Sequence, residues 1–354
     1  MTDIAEANTG TTAVREGYAF DEAALEGWLT AHVEGYAGPL TVEQFKGGQS
    51  NPTYKLVTPS RSYVLRRKPP GQLLKGAHAV EREAKVLTAL HAQGFPVAKV
   101  FGLCTDDSVL GTWFYVMEMV EGRIFWDATV PGVSNAERAA IFDAMNATMA
   151  LLHSYDPESI GLGDYGRPGN YFARQVGRWS KQYFEDEAAG RDADMDAVIA
   201  WLEGNMPEDD GASSVIHGDF RIDNMIFHPT EPRVLAVLDW ELSTLGHPLA
   251  DFAYNAMMYH MPPHIVAGLG GADIASLGIP SEEDYVAAYC RRTGRDGLPD
   301  YRYYMAFNFF RLAAIFHGIK GRVIRGTAAN AQAKERAEAF PELARIALGF
   351  TREG

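Results

Sequence analysis

Between Ser214 and Trp240, a half-chain that otherwise reads as helix breaks into short β-like runs: Val215-Ile216, Met225-Ile226-Phe227 and Val234 to Leu238. A turn rich in proline, His228 to Arg233, joins the last two as a hairpin. The apolar residues Val234 to Leu238 bury the returning strand. They leave Asp239 as the first charged residue at its end, beside the loop His217-Gly218-Asp219-Phe220-Arg221-Ile222-Asp223-Asn224.

Around this hairpin, helical periodicity covers Ala136 to His153, Asn170 to Glu185, Asp192 to Gly204 and much of Asp284 to Ala347. The first part of the chain is patterned differently. An amphipathic helix over Asp21 to Val33 is followed by two short strands, Leu40 to Phe45 and Thr53 to Val57, around Gly47-Gly48-Gln49-Ser50-Asn51-Pro52. Ser62 to Arg66 reads as a third strand of a small antiparallel sheet. Ala79 to His91 places Val80, Ala84, Leu87 and Leu90 on one helix face. Apolar runs follow around Val97 to Leu103 and Thr112 to Val120, and Glu121-Gly122 breaks the pattern. The expected fold is α+β: a flexible tail over 1–20, a smaller lobe with the antiparallel sheet over 21–120, and a larger, mostly helical lobe over 121–354.

Composition narrows the function classes. With Lys+Arg 32 against Asp+Glu 46, the net charge of -14 repels phosphate backbones and anionic membrane surfaces, so neither nucleic acid nor membrane is expected as a partner. Two cysteines, Cys104 and Cys290, are too few for a disulfide framework and lack the paired spacing of a zinc site. A reducing compartment follows, and Met1 to Gly17 resembles neither a signal nor a transit peptide, so a cytoplasmic location is expected. Met305 to Ile319 is apolar but is interrupted by Asn308, Arg311 and His317; it reads as a buried helix.

Four residues separate Asp219 from Asn224. That is the catalytic-loop spacing of kinases, in which the carboxylate takes the acceptor's hydroxyl proton and the amide oxygen helps hold magnesium. A second hard oxygen ligand has to come from a neighbouring strand end, where Asp239 sits, with Glu241 two residues on. Singly, each of these acids reads as a turn former; at fixed spacing, with a hairpin between them, they form a composite.

Other motifs carry less. Gly161-Leu162-Gly163-Asp164-Tyr165-Gly166 matches G-x-G-x-x-G but has no strand before it, so it is not read as a dinucleotide site. His260 and His264 lack companion metal ligands and read as loop or substrate-side residues. Arg174, Arg178, Lys181 and Tyr183 recur at near-helical spacing, either as a face for an acidic acceptor or as a solvated stripe.

The run His217 to Asn224 with Leu238-Asp239-Trp240-Glu241 resembles the motif of the aminoglycoside phosphotransferase and choline kinase family, and the likeness extends from about Leu40 to past Tyr259. Gly47 to Tyr54, Tyr63 to Gly71 and Gly161 to Tyr183 resemble the branch joined to some acyl-CoA dehydrogenases. The resemblance implies a protein-kinase-like fold and transfer of the γ-phosphate of ATP or GTP, with Mg2+, to a hydroxyl of a small acceptor, possible acceptors being hydroxyacyl-CoA or hydroxy acids. It makes Asp219 the catalytic base, and Asn224 and Asp239 the magnesium ligands. Arg66 falls where kinases place a phosphate-binding lysine, with Glu83 as its helix partner, and Lys68 shares that strand face by alternation. The Gly48, Gln49, Ser50 and Asn51 loop would cover the phosphates, and the Glu118 carbonyl and Val120 amide would meet the base. Asp251, in Leu249-Ala250-Asp251-Phe252-Ala253, either braces the catalytic loop or is a helix N-terminal charge.

Three competing readings stay in view. A protein kinase needs D-F-G, A-P-E and an activation segment, but only Trp240 to Ala250 separates Asp239 from Asp251. A catalytically inactive nucleotide-binding or scaffold protein would usually lack one of the ionic groups, all of which are present here. An aminoglycoside phosphotransferase would suit the chain's acidity.

Overall fold

Period-two alternation in the short strands puts Val42, Tyr54, Leu56, Tyr63 and Leu65 into one apolar core with Leu25 and Leu29 of the first helix. The computed structural model describes residues 8–47, 51–71, 78–167, 169–327 and 333–352. They form two compact units: Met1–Trp126 with Glu158–Leu162 and Asp223–Ser243, and Asp127–Pro157 with Gly163–Ile222 and Thr244–Gly354.

The first unit is built on a 6-stranded sheet in the order β1-β2-β3-β4-β6-β5, every neighbouring pair antiparallel. Its strands are β1 (Thr11–Thr12), β2 (Thr41–Phe45), β3 (Thr53–Val57), β4 (Ser62–Arg67), β5 (Val100–Cys104) and β6 (Phe114–Glu118). Helix α1 (Glu22–His32) starts at Asp21, whose carboxylate accepts the Ala24 amide, and α2 (Val80–Ala92) follows β4; a short α3 spans Asp107–Leu110. The segment expected as a tail is tied down within its described part. Thr11 and Thr12 pair with Phe45 and Gln44, Thr11 Oγ1 donates to Glu43 at 2.6 Å, and the Tyr54 hydroxyl donates to the Tyr18 carbonyl at 2.9 Å. Two residues carry too little periodicity to announce a strand; the open edge of β2 is what orders them.

The hairpin of β8 (Met225–Phe227) and β9 (Val234–Val237) belongs to this sheet unit, and the units divide at Trp126/Asp127 instead of after Val120. The backbone explains the grouping: Arg123 and Phe227 exchange two N–H to O bonds of 2.8 Å, and the Val237 amide donates to the Pro96 carbonyl at 2.8 Å. Trp240 is buried against Phe95. Only glycine fits at 122, because a Cβ there would lie 2.2 Å from the Phe227 carbonyl oxygen.

The second unit holds α4 (Asn135–Ser154), α5 (Tyr171–Glu185), α6 (Ala193–Gly204), α7 (Pro248–Ala256), α8 (Glu282–Thr293), α9 (Tyr301–Ile324) and α10 (Ala333–Arg352). Helix α9 packs on α10, α5, α6 and α7, and α4 packs on α8. The polar interruptions of α9 are buried and partnered: Asn308 donates to the Ala250 carbonyl (2.9 Å), Arg311 to the Gly218 carbonyl (2.6 Å) and His317 Nε2 to the Gly190 carbonyl (2.7 Å). This is the buried helix expected from the sequence, and among the described residues no helix is long and apolar enough to cross a membrane. Strand β7 (Ser214–Ile216) pairs antiparallel with β10 (Thr244–Gly246), a three-residue strand not marked in the sequence. Gly166, the last glycine of the G-x-G-x-x-G match, sits where a Cβ would come within 2.6 Å of the Leu245 amide. Close packing on β10 accounts for it.

Candidate active site

In the sheet unit, β4 holds Arg66 between Thr53 on β3 and Tyr115 on β6. Its guanidinium meets three carboxylates. Nε lies 2.8 Å from Glu83 Oε2, an ionic contact and not an aligned hydrogen bond, whereas Nη2 donates to Asp239 Oδ1 at 2.8 Å and lies 3.7 Å from Glu241 Oε2. Glu83, from the first turn of α2, also accepts the Asn51 amide (2.8 Å) and the Tyr115 hydroxyl (3.1 Å). Burial pushes the Glu83 carboxyl up, and Arg66 pulls it back. Burial opposes the Arg66 charge, but Glu83 and then Asp239 overcome it and hold the guanidinium above its ordinary value. Burial, then the Glu83 charge, raises the Tyr115 phenol far beyond its usual range. Arg66 is therefore a permanent cation at the end of a strand, facing the hairpin.

The hairpin brings the two expected magnesium ligands together. Met225 pairs with Val237, and the Leu238 amide donates to the Asn224 carbonyl at 2.8 Å, so Asn224 before β8 lies beside Asp239 after β9. Asp239 itself is left-handed, with φ 64°. A non-glycine residue there is uncommon, and Asp is among the residues that tolerate it. Among the described residues, no group of three or more His, Cys, Asp or Glu side chains could hold a metal ion. A carboxylate and an amide oxygen carried on neighbouring backbone positions of one hairpin are nevertheless the kinds of hard donor that suit magnesium when nucleotide phosphates complete its shell.

Of the remaining expected nucleotide contacts, Gly48, Gln49 and Ser50 lie outside the described residues. Asn51 is fully buried, and its amide is spent on Glu83 and, through Oδ1, on His78 Nδ1 at 3.0 Å. Glu118 closes β6 opposite Tyr63, with its amide donating to the Lys99 carbonyl at 2.8 Å, and Val120 lies two residues beyond the strand. Lys68 follows the end of β4, pairs with Glu81 at 2.9 Å and sits 4.1 Å from the Trp113 ring centroid. Its partners differ from those of Arg66.

In the helical unit, Asp219 sits in the loop after β7. Asp251, in the first turn of α7, is buried and accepts the amides of His217 (2.7 Å) and Gly218 (2.8 Å), with His153 Nε2 3.3 Å away. Burial alone would raise the Asp251 carboxyl; His153, His217 and the donated amides outweigh it and hold it below 3.8. Asp251 braces the loop backbone. The Asp219 amide donates to His217 Nδ1 at 3.2 Å, Arg221 Nε lies 3.4 Å from Asp219 Oδ1, and the Tyr254 hydroxyl donates to that same oxygen.

The stripe over Arg174 to Tyr183 does not hold as one face. Tyr183 is buried, with its hydroxyl on Asp196 (2.9 Å), because α5 packs that side on the unit's core. Arg178 and Lys181 are exposed, and Arg174 donates to the Arg167 carbonyl at 2.6 Å. His260 pairs with Glu282 (2.7 Å) and His264 with Glu342 (2.9 Å). Sequence reading missed Tyr254 and Arg311. Tyr254 lies three residues after Asp251 on one helix, so a brace at the first puts the second on the same loop. Arg311 was visible as a charge inside an apolar helix.

The family model described as the phosphotransferase enzyme family covers residues 41–307. Rat acyl-CoA dehydrogenase family member 11 is 44% identical over 348 residues, which is 97% of this chain and 44% of that protein. The chain thus spans less than half the length of the curated relatives it first matches. A crystal structure from Ralstonia eutropha JMP134, provisionally assigned as an aminoglycoside phosphotransferase, is 50% identical with a TM-score of 0.87, covering 94% of this chain and 99% of that one. A thermostable mutant of aminoglycoside phosphotransferase APH(4)-Ia, in ternary complex with AMP-PNP and hygromycin B, shares the fold at 14% identity and TM-score 0.59, covering 94% of this chain and 99% of that one. The chain belongs to the phosphotransferase enzyme family and has the kinase-like α+β fold of its members.

Proposed function

We propose that this protein is a small-molecule kinase that moves the γ-phosphate of ATP or GTP to a hydroxyl of a small acceptor. The observation that carries the reading is the Arg66 guanidinium held between Glu83 and Asp239, each at 2.8 Å, on a chain of a phosphotransferase family. Arg66 would contact the nucleotide phosphates, Asn224 and Asp239 would hold magnesium, and Asp219 would orient the acceptor hydroxyl and take its proton. When bound, magnesium neutralises charge on the phosphate oxygens. The family's loose transition state leaves little covalent work for the chain, so positioning and charge supply most of the catalysis. Asp251 contributes by fixing the loop that carries Asp219.

For the acceptor, the kinship to acyl-CoA dehydrogenase family members favours hydroxyacyl-CoAs or hydroxy acids over aminoglycosides. The test is nucleotide consumption with magnesium across hydroxyacyl-CoAs, free hydroxy acids, choline and aminoglycosides. Turnover with a hydroxyacyl-CoA or hydroxy acid is expected. Turnover confined to an aminoglycoside would reverse the acceptor assignment, and nucleotide binding with no turnover of any acceptor would favour a non-catalytic binding protein.

A further inference from the structure

We propose that Tyr254 is a positioning residue for proton acceptance by Asp219, fixing the carboxylate through Oδ1 so that it meets the acceptor hydroxyl in one orientation. The inference rests on Asp219 being the base. Tyr254 is buried on α7, one turn after Asp251, so the helix that braces the loop backbone also grips the loop's reactive side chain. Its ring is fixed from the far side: the Arg311 guanidinium lies 5.2 Å from the ring centroid while donating to the Gly218 carbonyl at 2.6 Å. Arg311, Tyr254 and Asp251 thus hold three successive parts of one loop, and α7 and α9 carry them all.

Tyr254, Arg221 and Asn255 are the polar residues of a small cleft otherwise lined by apolar side chains, among them Ile222, Met257, Met258 and Met261. Tyr254 and Arg221 are also the two groups that lie against Asp219 Oδ1. The donated hydrogen bond is to a charged acceptor, which makes it one of the stronger single contacts available to the loop.

The charged and titratable groups around Asp219 are Tyr254 on α7, Arg221 and His217 on its own loop, Arg311 on α9 behind the phenol, and Arg336 on α10, within electrostatic reach. Removing the phenol hydroxyl takes away a donor that favours the ionised carboxylate. Tyr254→Phe in the full chain should lower kcat about 10- to 100-fold, leave nucleotide affinity by calorimetry unchanged, and move the acidic limb of kcat to higher pH. Tyr254→3-fluorotyrosine, a stronger donor of nearly the same shape, should move the limb to lower pH and guards against a folding defect. A Tyr254→Phe enzyme with wild-type kcat and limb, beside an inactive Asp219→Asn, would overturn the role of Tyr254 and leave the base in place. Turnover that survives Asp219→Asn would overturn the base assignment and this proposal with it.

Discussion

Arg66 Nη2 and Asp239 Oδ1 lie 2.8 Å apart, joining the end of β4 to the end of β9, although 173 residues separate them in sequence. The same guanidinium covers Glu83, whose side chain is 3% exposed. Replacing Arg66 by Met would leave Glu83 buried without its counter-charge. A loss of roughly 3–5 kcal/mol in unfolding free energy is expected, since one partner of a buried pair is removed. Denaturant unfolding checks it; Arg66→Lys, which keeps the charge but not the fork, should lose less. An Arg66→Met chain as stable as wild type would mean that Glu83 is protonated or solvated.

Gly122 ties the segment following β6 to the hairpin. A methyl group at this position would strike the Phe227 backbone, which cannot yield as a flexible side chain does. Gly122→Ala should cost about 1–3 kcal/mol and shift Asn224 and Asp239, weakening magnesium-dependent nucleotide binding more than magnesium-independent binding. Calorimetry with and without the metal separates the two.

Asp251 satisfies two buried amides at once. Asp251→Ala would leave both unsatisfied, at about 1–3 kcal/mol each, and should depress kcat beyond the loss of stability because the Asp219 loop is released. Unfolding curves and kcat measured on the folded fraction test the two effects separately.

His247 and His317 give a pH dependence whose sign is set. Burial lowers both from 6.5, despite Asp210 near the first and the Gly190 carbonyl on the second. The folded chain then binds fewer protons than the unfolded one below that value, so stability is full above about pH 6.5 and falls as pH drops through the lowered values. His247 Nδ1 also caps α7 by accepting the Leu249 amide at 3.2 Å, which a protonated ring cannot do. Thermal midpoints should fall from pH 7 to pH 5.5, and less so in His247→Asn, which keeps a capping oxygen. A flat wild-type profile would contradict this.

Local pattern carried most of the elements. Apolar alternation marked β2 to β4, helical periodicity marked α1, α2, α4, α5 and α6, and the hairpin stood out because it interrupts helices. What stayed hidden depends on long-range pairing. Thr11–Thr12 and Thr244–Gly246 are ordered only by partners about 30 residues away in sequence. The candidate site was marked in the sequence by polar residues at fixed spacing, Asp219, Asn224 and Asp239. It was not legible where a side chain's partner is chosen by tertiary packing: Asn51 turns to Glu83, Tyr183 turns inward, and Tyr254 turns to Asp219.

Transfer of labelled γ-phosphate from ATP to the acceptor, followed in wild type, Asp219→Asn and Asp239→Ala, tests the central claim most directly. Wild type should label one acceptor class; Asp219→Asn should bind nucleotide but transfer nothing, and Asp239→Ala should lose magnesium-dependent binding. Near-normal transfer by both variants would contradict the assignment of this chain as a kinase working through those residues.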